Sequence, residues 1–139
     1  MISANQASNG TPWREHNLPG LLGVLGPLLS KRENEHWLYG LRIRKDHLNQ
    51  ANIVHGGTVT ALMDQALSTV AWSHSNKTPC VTVQLNVSFL GSAAEGDLLI
   101  ASGRIVRATG SLLFADGSIM VNGAEIATAQ AILKRINPN

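Results

Sequence analysis

The longest regular stretch of the chain runs from Thr58 to Ser73, without proline or internal glycine. Val59, Leu62, Met63, Ala66, Leu67, Val70 and Ala71 recur there at i, i+3, i+4, i+7, i+8, i+11 and i+12, the period of a helix. The opposite face carries Thr60, Ala61, Gln65, Ser68, Thr69 and Trp72, with no Lys, Arg or Glu. Such a pattern predicts a helix covered on more than one side. Asp64 is its only charged residue. Period-two alternation then marks strands. Trp37, Tyr39, Leu41 and Ile43 form one apolar face; Val81, Val83, Leu85, Val87 and Phe89 form another, opposite Thr82, Gln84, Asn86 and Ser88. Further strands are predicted from Asp97 to Ala108 and from Ser111 to Val121, the latter with a bulge at Asp116-Gly117. Asn122-Gly123 is a two-residue hairpin signal leading to a fifth strand, Ala124 to Lys134. Upstream, residues 1–12 have the composition of a loose tail, Pro19 to Leu29 that of a short glycine-weakened helix, Lys31 to Glu35 that of a connector, and Asp46 to Val54 that of a turn.

One strand, one long helix and a run of antiparallel strands make an α+β domain in which a sheet curls around a helix. Residues 1–35 are the expected tail and short helix, and residues 36–139 the folded domain. The uncharged second face of the helix needs another cover, and a second copy of the chain supplies one symmetrically. Composition agrees with this. The chain has 139 residues, one domain's worth, and only 14% are charged, against about 25% in typical domains. The net charge of +2 comes without a basic stripe, which argues against nucleic-acid binding. Cys80 is the only cysteine, so neither an intrachain disulfide nor a cysteine metal cluster is expected. The apolar run Leu18–Leu29 is broken by Pro19, Gly20, Gly23, Gly26 and Pro27, and predicts no membrane span. The first residues lack the pattern of a signal peptide, so a cytoplasmic protein is expected.

Chemistry concentrates at the start of the long helix. His55-Gly56-Gly57 opens it. The first amides of a helix have no internal partner and sit at the positive end of its dipole. The two glycines leave them uncovered, so the segment reads either as a tight turn or as a site for a developing oxyanion. Asp64 lies two turns on, with Thr60 and Ser68 one turn to either side. A carboxylate in a covered helix is either held by those hydroxyls or works as a general base or nucleophile. His55 reads as a core histidine, a positioning group or a base. No His-Glu-x-x-His, nucleophile elbow, Walker A or dinucleotide-binding glycine motif is present, so no metal or cofactor is expected.

The spacing Asn49-x5-His55-Gly56-Gly57-x6-Asp64 resembles the motif of the hotdog-fold acyl-CoA thioesterases, most closely the PaaI-like, phenylacetate-degradation-related subfamily. The resemblance runs from about Trp37 to Arg135. It implies a hotdog fold, a long central helix wrapped by an antiparallel five- to six-stranded sheet, and homodimers that commonly pair into homotetramers. It implies an acyl-CoA substrate and a site at the dimer interface, with Asp64 of one subunit acting with Gly56 and Asn49 of the other. The Gly56 N–H would polarise the thioester carbonyl, Asp64 would attack it or activate water, Asn49 would hold water or the carbonyl, and His55 would orient the loop. Gly57 and Thr82 would border the substrate, and Arg107, Gly110 and Ser111 would lie near the CoA phosphates. The alternative carried by the same resemblance is an acyl-CoA-binding hotdog protein without catalysis.

Overall fold

The computed structural model describes residues 11–136. Seven strands form one antiparallel sheet: β1 (Arg14–His16), β2 (Leu28–Glu33), β3 (His36–Arg42), β4 (Cys80–Phe89), β5 (Leu98–Ala108), β6 (Leu112–Val121) and β7 (Ala124–Arg135). Their spatial order is β1-β2-β3-β5-β6-β7-β4. A five-residue helix α1 (Leu21–Leu25) precedes β2, and the long helix α2 (Gly56–His74) joins β3 to β4 through a 3-10 turn at Lys45–His47. The arrangement is the hotdog fold, with α2 lying across the sheet. Val59, Leu62, Met63, Ala66, Leu67 and Ala71 of α2 are buried against Leu41, Leu99, Leu113, Ile119 and Leu133. This is the face that the helical period marks.

The strand count exceeds the expected five to six because β1 and β2 join the sheet ahead of residue 36. The helix expected over Pro19–Leu29 closes at Gly26, whose N–H bonds the Leu22 carbonyl, and Leu28 and Leu29 continue as strand. Charge hides the rest of β2 from a hydropathy reading, since Lys31, Arg32 and Glu33 look like a connector. Lys31 is nevertheless only 7% exposed. Its ammonium lies 4.9 Å from the centre of the Trp13 ring and 3.3 Å from Glu33 Oε2, so a cation–π contact and an ion pair replace its water. The tail expected over residues 1–12 falls, for residues 1–10, outside the described residues.

Asp116-Gly117 is not a bulge. The two residues pair in unbroken register with Arg104 and Gly103, and the irregularities fall between Ile105 and Arg107, Ile119 and Met120, and Thr82 and Gln84. The glycine has a packing reason. Gly103 and Gly117 stand opposite each other under α2. A Cβ on Gly103 would lie 2.5 Å from Leu67 Cδ2, and one on Gly117 2.6 Å from Met63 Sδ. The sheet thus gives up two side chains where the helix presses closest. Gly103→Ala is expected to lower stability by about 1–3 kcal/mol, the usual cost of overpacking, as read by denaturant unfolding. An unchanged midpoint would show that Leu67 moves aside freely.

The bulge in β4 rewrites the predicted alternation. Val83 is the extra residue, unpaired between Thr82↔Leu133 and Gln84↔Ile132. An extra residue reverses side-chain facing on one side of it. Thr82, Leu85 and Val87 are therefore the more covered positions, while Val81 and Val83 turn outward to 44% and 59% exposure.

Candidate active site

Helix α2 begins with an N-cap built from His55. Its backbone is extended (φ −70°, ψ 138°), and its Nδ1 accepts the Gly57 N–H at 2.7 Å. The His55 carbonyl accepts the N–H groups of Thr58 and Val59. In a trans peptide the C=O and the following N–H point in opposite directions. Because the His55 carbonyl points down the helix, the Gly56 N–H points out of its end. That N–H has no partner among the described residues. The cap thus uses the amides of Gly57, Thr58 and Val59 and leaves one donor, on Gly56, at the positive end of the dipole. Phe89, at the end of β4, lies beside it: its ring atoms sit 3.4 Å from where a Gly56 Cβ would stand. Gly57 needs to be small, since a Cβ there would meet His55 Nδ1 at 3.0 Å.

Asp64 is half-buried rather than enclosed. Its Oδ1 accepts a hydrogen bond from the Thr82 hydroxyl at 2.7 Å, and Ser68 Oγ stands 3.5 Å from Thr82 Oγ1. The partner is thus a strand residue turned inward ahead of the β4 bulge, rather than Thr60 on the same helix. Thr60 instead donates to the Gly56 carbonyl at 2.8 Å, and Thr69 to the Gln65 carbonyl at 2.8 Å, bonds that let hydroxyl side chains lie along a helix. Asp64 Oδ2 has no partner among the described residues. The expected second cover of α2 is not supplied within one chain: Thr60, Ala61, Asp64, Gln65, Ser68 and Thr69 are half-buried and Trp72 is 40% exposed.

Asn49 holds its own loop. Its Oδ1 accepts the Ala51 N–H at 2.8 Å and the Ile53 N–H at 3.4 Å, and its N–H donates to the Ile53 carbonyl. Only the amide Nδ2 is left to face a ligand. Asn49 and His55 border one open depression with Leu48, Gln50 and Ala51. At the other end of the sheet, Gly110 and Ser111 form the β5–β6 turn, which Arg135 fastens by donating to the carbonyls of Thr109 and Gly110 and to Ser75 Oγ. Arg107 is exposed and has no partner among the described residues.

The 46–54 segment holds a residue that a turn reading passes over. His47 is fully buried. Its Nε2–H donates to the Leu25 carbonyl at 2.7 Å, and its Nδ1 accepts the Arg44 N–H at 3.1 Å. Both bonds together require the neutral ring. Burial holds its pKa below the ordinary value; the Leu25 bond and Asp46 oppose that, and Arg44 adds to it. Unfolded, the ring titrates near about 6.5 and so binds more protons than the folded one in the window just below that pH. Its contribution is complete above that pH and is lost as pH falls through the folded value. The melting temperature is expected to drop between about pH 7.5 and about pH 5.5, more steeply than in His47→Gln. Parallel profiles for the two proteins would count against this origin.

Among the described residues, no cluster of His, Cys, Asp or Glu is placed to hold a metal ion, and no helix is long and apolar enough to cross a membrane. A family description, the thioesterase superfamily, matches residues 51–126, more than half of the chain, and the chain belongs to that superfamily. "Putative esterase PA0474" of Pseudomonas aeruginosa is 36% identical over 87 residues, 61% of this chain and 65% of that protein. The match therefore spans just under two thirds of that relative's length. Among solved structures, smu.793 of Streptococcus mutans UA159, bound to acetyl CoA, superposes with a TM-score of 0.74 at 23% identity, covering 89% of this chain and 97% of that one. The phenylacetic acid degradation protein PaaI of Thermus thermophilus superposes with a TM-score of 0.74 at 19% identity, covering 83% and 97%. At these identities the structural likeness establishes the fold.

Proposed function

We propose that the protein hydrolyses an acyl-CoA thioester to the free acid and CoA. The observation that carries this reading is the polarity of α2: an unpartnered N–H at its start and a carboxylate with one free oxygen on its open face. Gly56 and Asp64 are eight residues apart on one helix, about 12 Å along its axis. That is too far for both to engage one carbonyl, which needs donor and nucleophile each about 3 Å from neighbouring atoms. Two copies solve the distance. If two α2 helices cross antiparallel about a twofold axis near Thr60, Gly56 of one faces Asp64 of the other. The half-buried face of α2 and the outward Val81 and Val83 on the edge strand β4 supply the surface for that pairing.

In this composite site the Gly56 N–H takes up charge on the thioester oxygen. Asp64, held by Thr82, either takes a proton from the attacking water or adds to the carbonyl itself. In the first course the water oxygen bonds to the carbonyl carbon, the carbon–sulfur bond breaks, and the thiolate of CoA leaves and is protonated. In the second, Asp64 displaces the thiolate and water then cleaves the mixed anhydride. The Asn49 amide donors hold the water or carbonyl, His55 keeps the cap closed, and Arg107 near the Gly110-Ser111 turn meets the CoA phosphates. The CoA-bound neighbour supports a CoA ligand for this fold. The test is a panel of acyl-CoAs followed by thiol release, alongside sedimentation. Turnover by a dimer or tetramer is the expected result. Binding without thiol release would put the non-catalytic reading in its place, and a monomer at micromolar concentration would remove the composite site.

A further inference from the structure

We propose that His47 is a positioning residue for the oxyanion donor, acting on Gly56 through its own backbone carbonyl. Its kinetic arm rests on the acyl-CoA reading above. The His47 carbonyl accepts two bonds from the start of α2: the His55 N–H at 2.8 Å and the Thr58 hydroxyl at 3.1 Å. These fix the N-cap residue on one side and the third residue of the first turn on the other. The His55–Gly56 peptide lies between them, so its plane, and the direction of the Gly56 N–H, are set from both ends. Thr58 is itself buried, which keeps water from competing for that carbonyl.

What holds the carbonyl in place is the imidazole. Its two nitrogens tie residue 47 to the Leu25 carbonyl at the end of α1 and to the Arg44 N–H across the 3-10 turn. Arg44 reinforces the same link, its guanidinium donating to the carbonyls of Val24, Leu25 and Gly26. The end of α1 is thereby joined through one buried side chain to the amide that meets the substrate. His47 never touches the reacting atoms, so its removal should misplace the donor without weakening the grip on CoA.

The test compares His47→Leu, which loses both ring bonds, with His47→Gln, which keeps a donor for the Leu25 carbonyl. Assays well below the melting temperature are expected to show kcat falling about 10- to 100-fold in His47→Leu at unchanged KM, the scale of a small misplacement. His47→Gln is expected to recover most of that loss. The Gly56 amide resonance is expected to move in His47→Leu and to return toward its original position in His47→Gln. If His47→Leu does not fold, Thr58→Val removes the hydroxyl from the same carbonyl and is expected to lower kcat and shift that resonance in the same sense. A folded variant with the original kcat and an unmoved Gly56 resonance overturns the proposal, whatever its melting temperature. A wild-type protein without hydrolysis would defeat the acyl-CoA reading, and the resonance of Gly56 would still decide the role of His47.

Discussion

Asp64→Asn is expected to lower acyl-CoA hydrolysis by at least ~100-fold, the low end for loss of a general base, and to leave the fold in place. Asparagine keeps the size of the side chain, and its carbonyl oxygen can still accept the Thr82 hydroxyl that now bonds Oδ1. What it lacks is the second, free carboxylate oxygen and the charge. Because Asp64 is half-buried, the substitution neither strands a charge nor opens a cavity, and stability is expected to change by no more than about 0.5 kcal/mol. Acyl-CoA binding is expected to persist, since the carboxylate meets the reacting carbon rather than the body of CoA. Rate and melting temperature measured on one preparation separate the possibilities. A folded Asp64→Asn protein with ordinary turnover would sink the mechanism and leave the binding protein in its place.

Gly56→Pro is expected to reduce turnover by about 100- to 1,000-fold, the range for removing one oxyanion donor. The substitution deletes the proposed donor and almost nothing else. Proline is favoured at the first position of a helix, where its missing N–H costs no helical bond. The residue before it must be extended, and His55, at φ −70° and ψ 138°, already is. The nearest atoms to the new Cβ, in the Phe89 ring, stand at ordinary contact distance of 3.4 Å. A folded Gly56→Pro enzyme turning over at the original rate would show that the carbonyl is polarised elsewhere.

The helix and its neighbours are legible in the sequence because one period governs one interface. Val59, Leu62, Met63, Ala66 and Leu67 meet the sheet along a single face, so their spacing reports it directly. The Asn122-Gly123 hairpin is legible for a local reason: both residues take positive φ, 50° and 82°, which asparagine and glycine tolerate. Legibility fails where a contact beyond the local segment reverses the local signal. Lys31 reads as solvent-exposed until Trp13 and Glu33 surround it. Gly117 reads as a turn or bulge until Met63 and Leu67 arrive above it. Thr82 reads as outward until one extra residue in β4 turns it to Asp64. In the candidate site the motif locates Asn49, His55, Gly56 and Asp64. It does not reveal that the Asn49 Oδ1 and the Gly57 N–H are already engaged within the chain. Nor does it single out His47, whose importance lies in two long-range bonds.

The bulge at Val83 separates two things that a regular strand would bind together. In an unbroken β4, residues 81 to 89 would share one alternation, and any change that moved the outward set would move Thr82 with it. The unpaired residue lets the segment before it keep Thr82 on the carboxylate while Val83 itself stands 59% exposed at the open edge. The strand can therefore vary its outward surface at position 83 without disturbing the hydroxyl that holds the reacting oxygen. Selection acting on what docks against that edge and selection acting on the chemistry have separate residues to work on, one position apart.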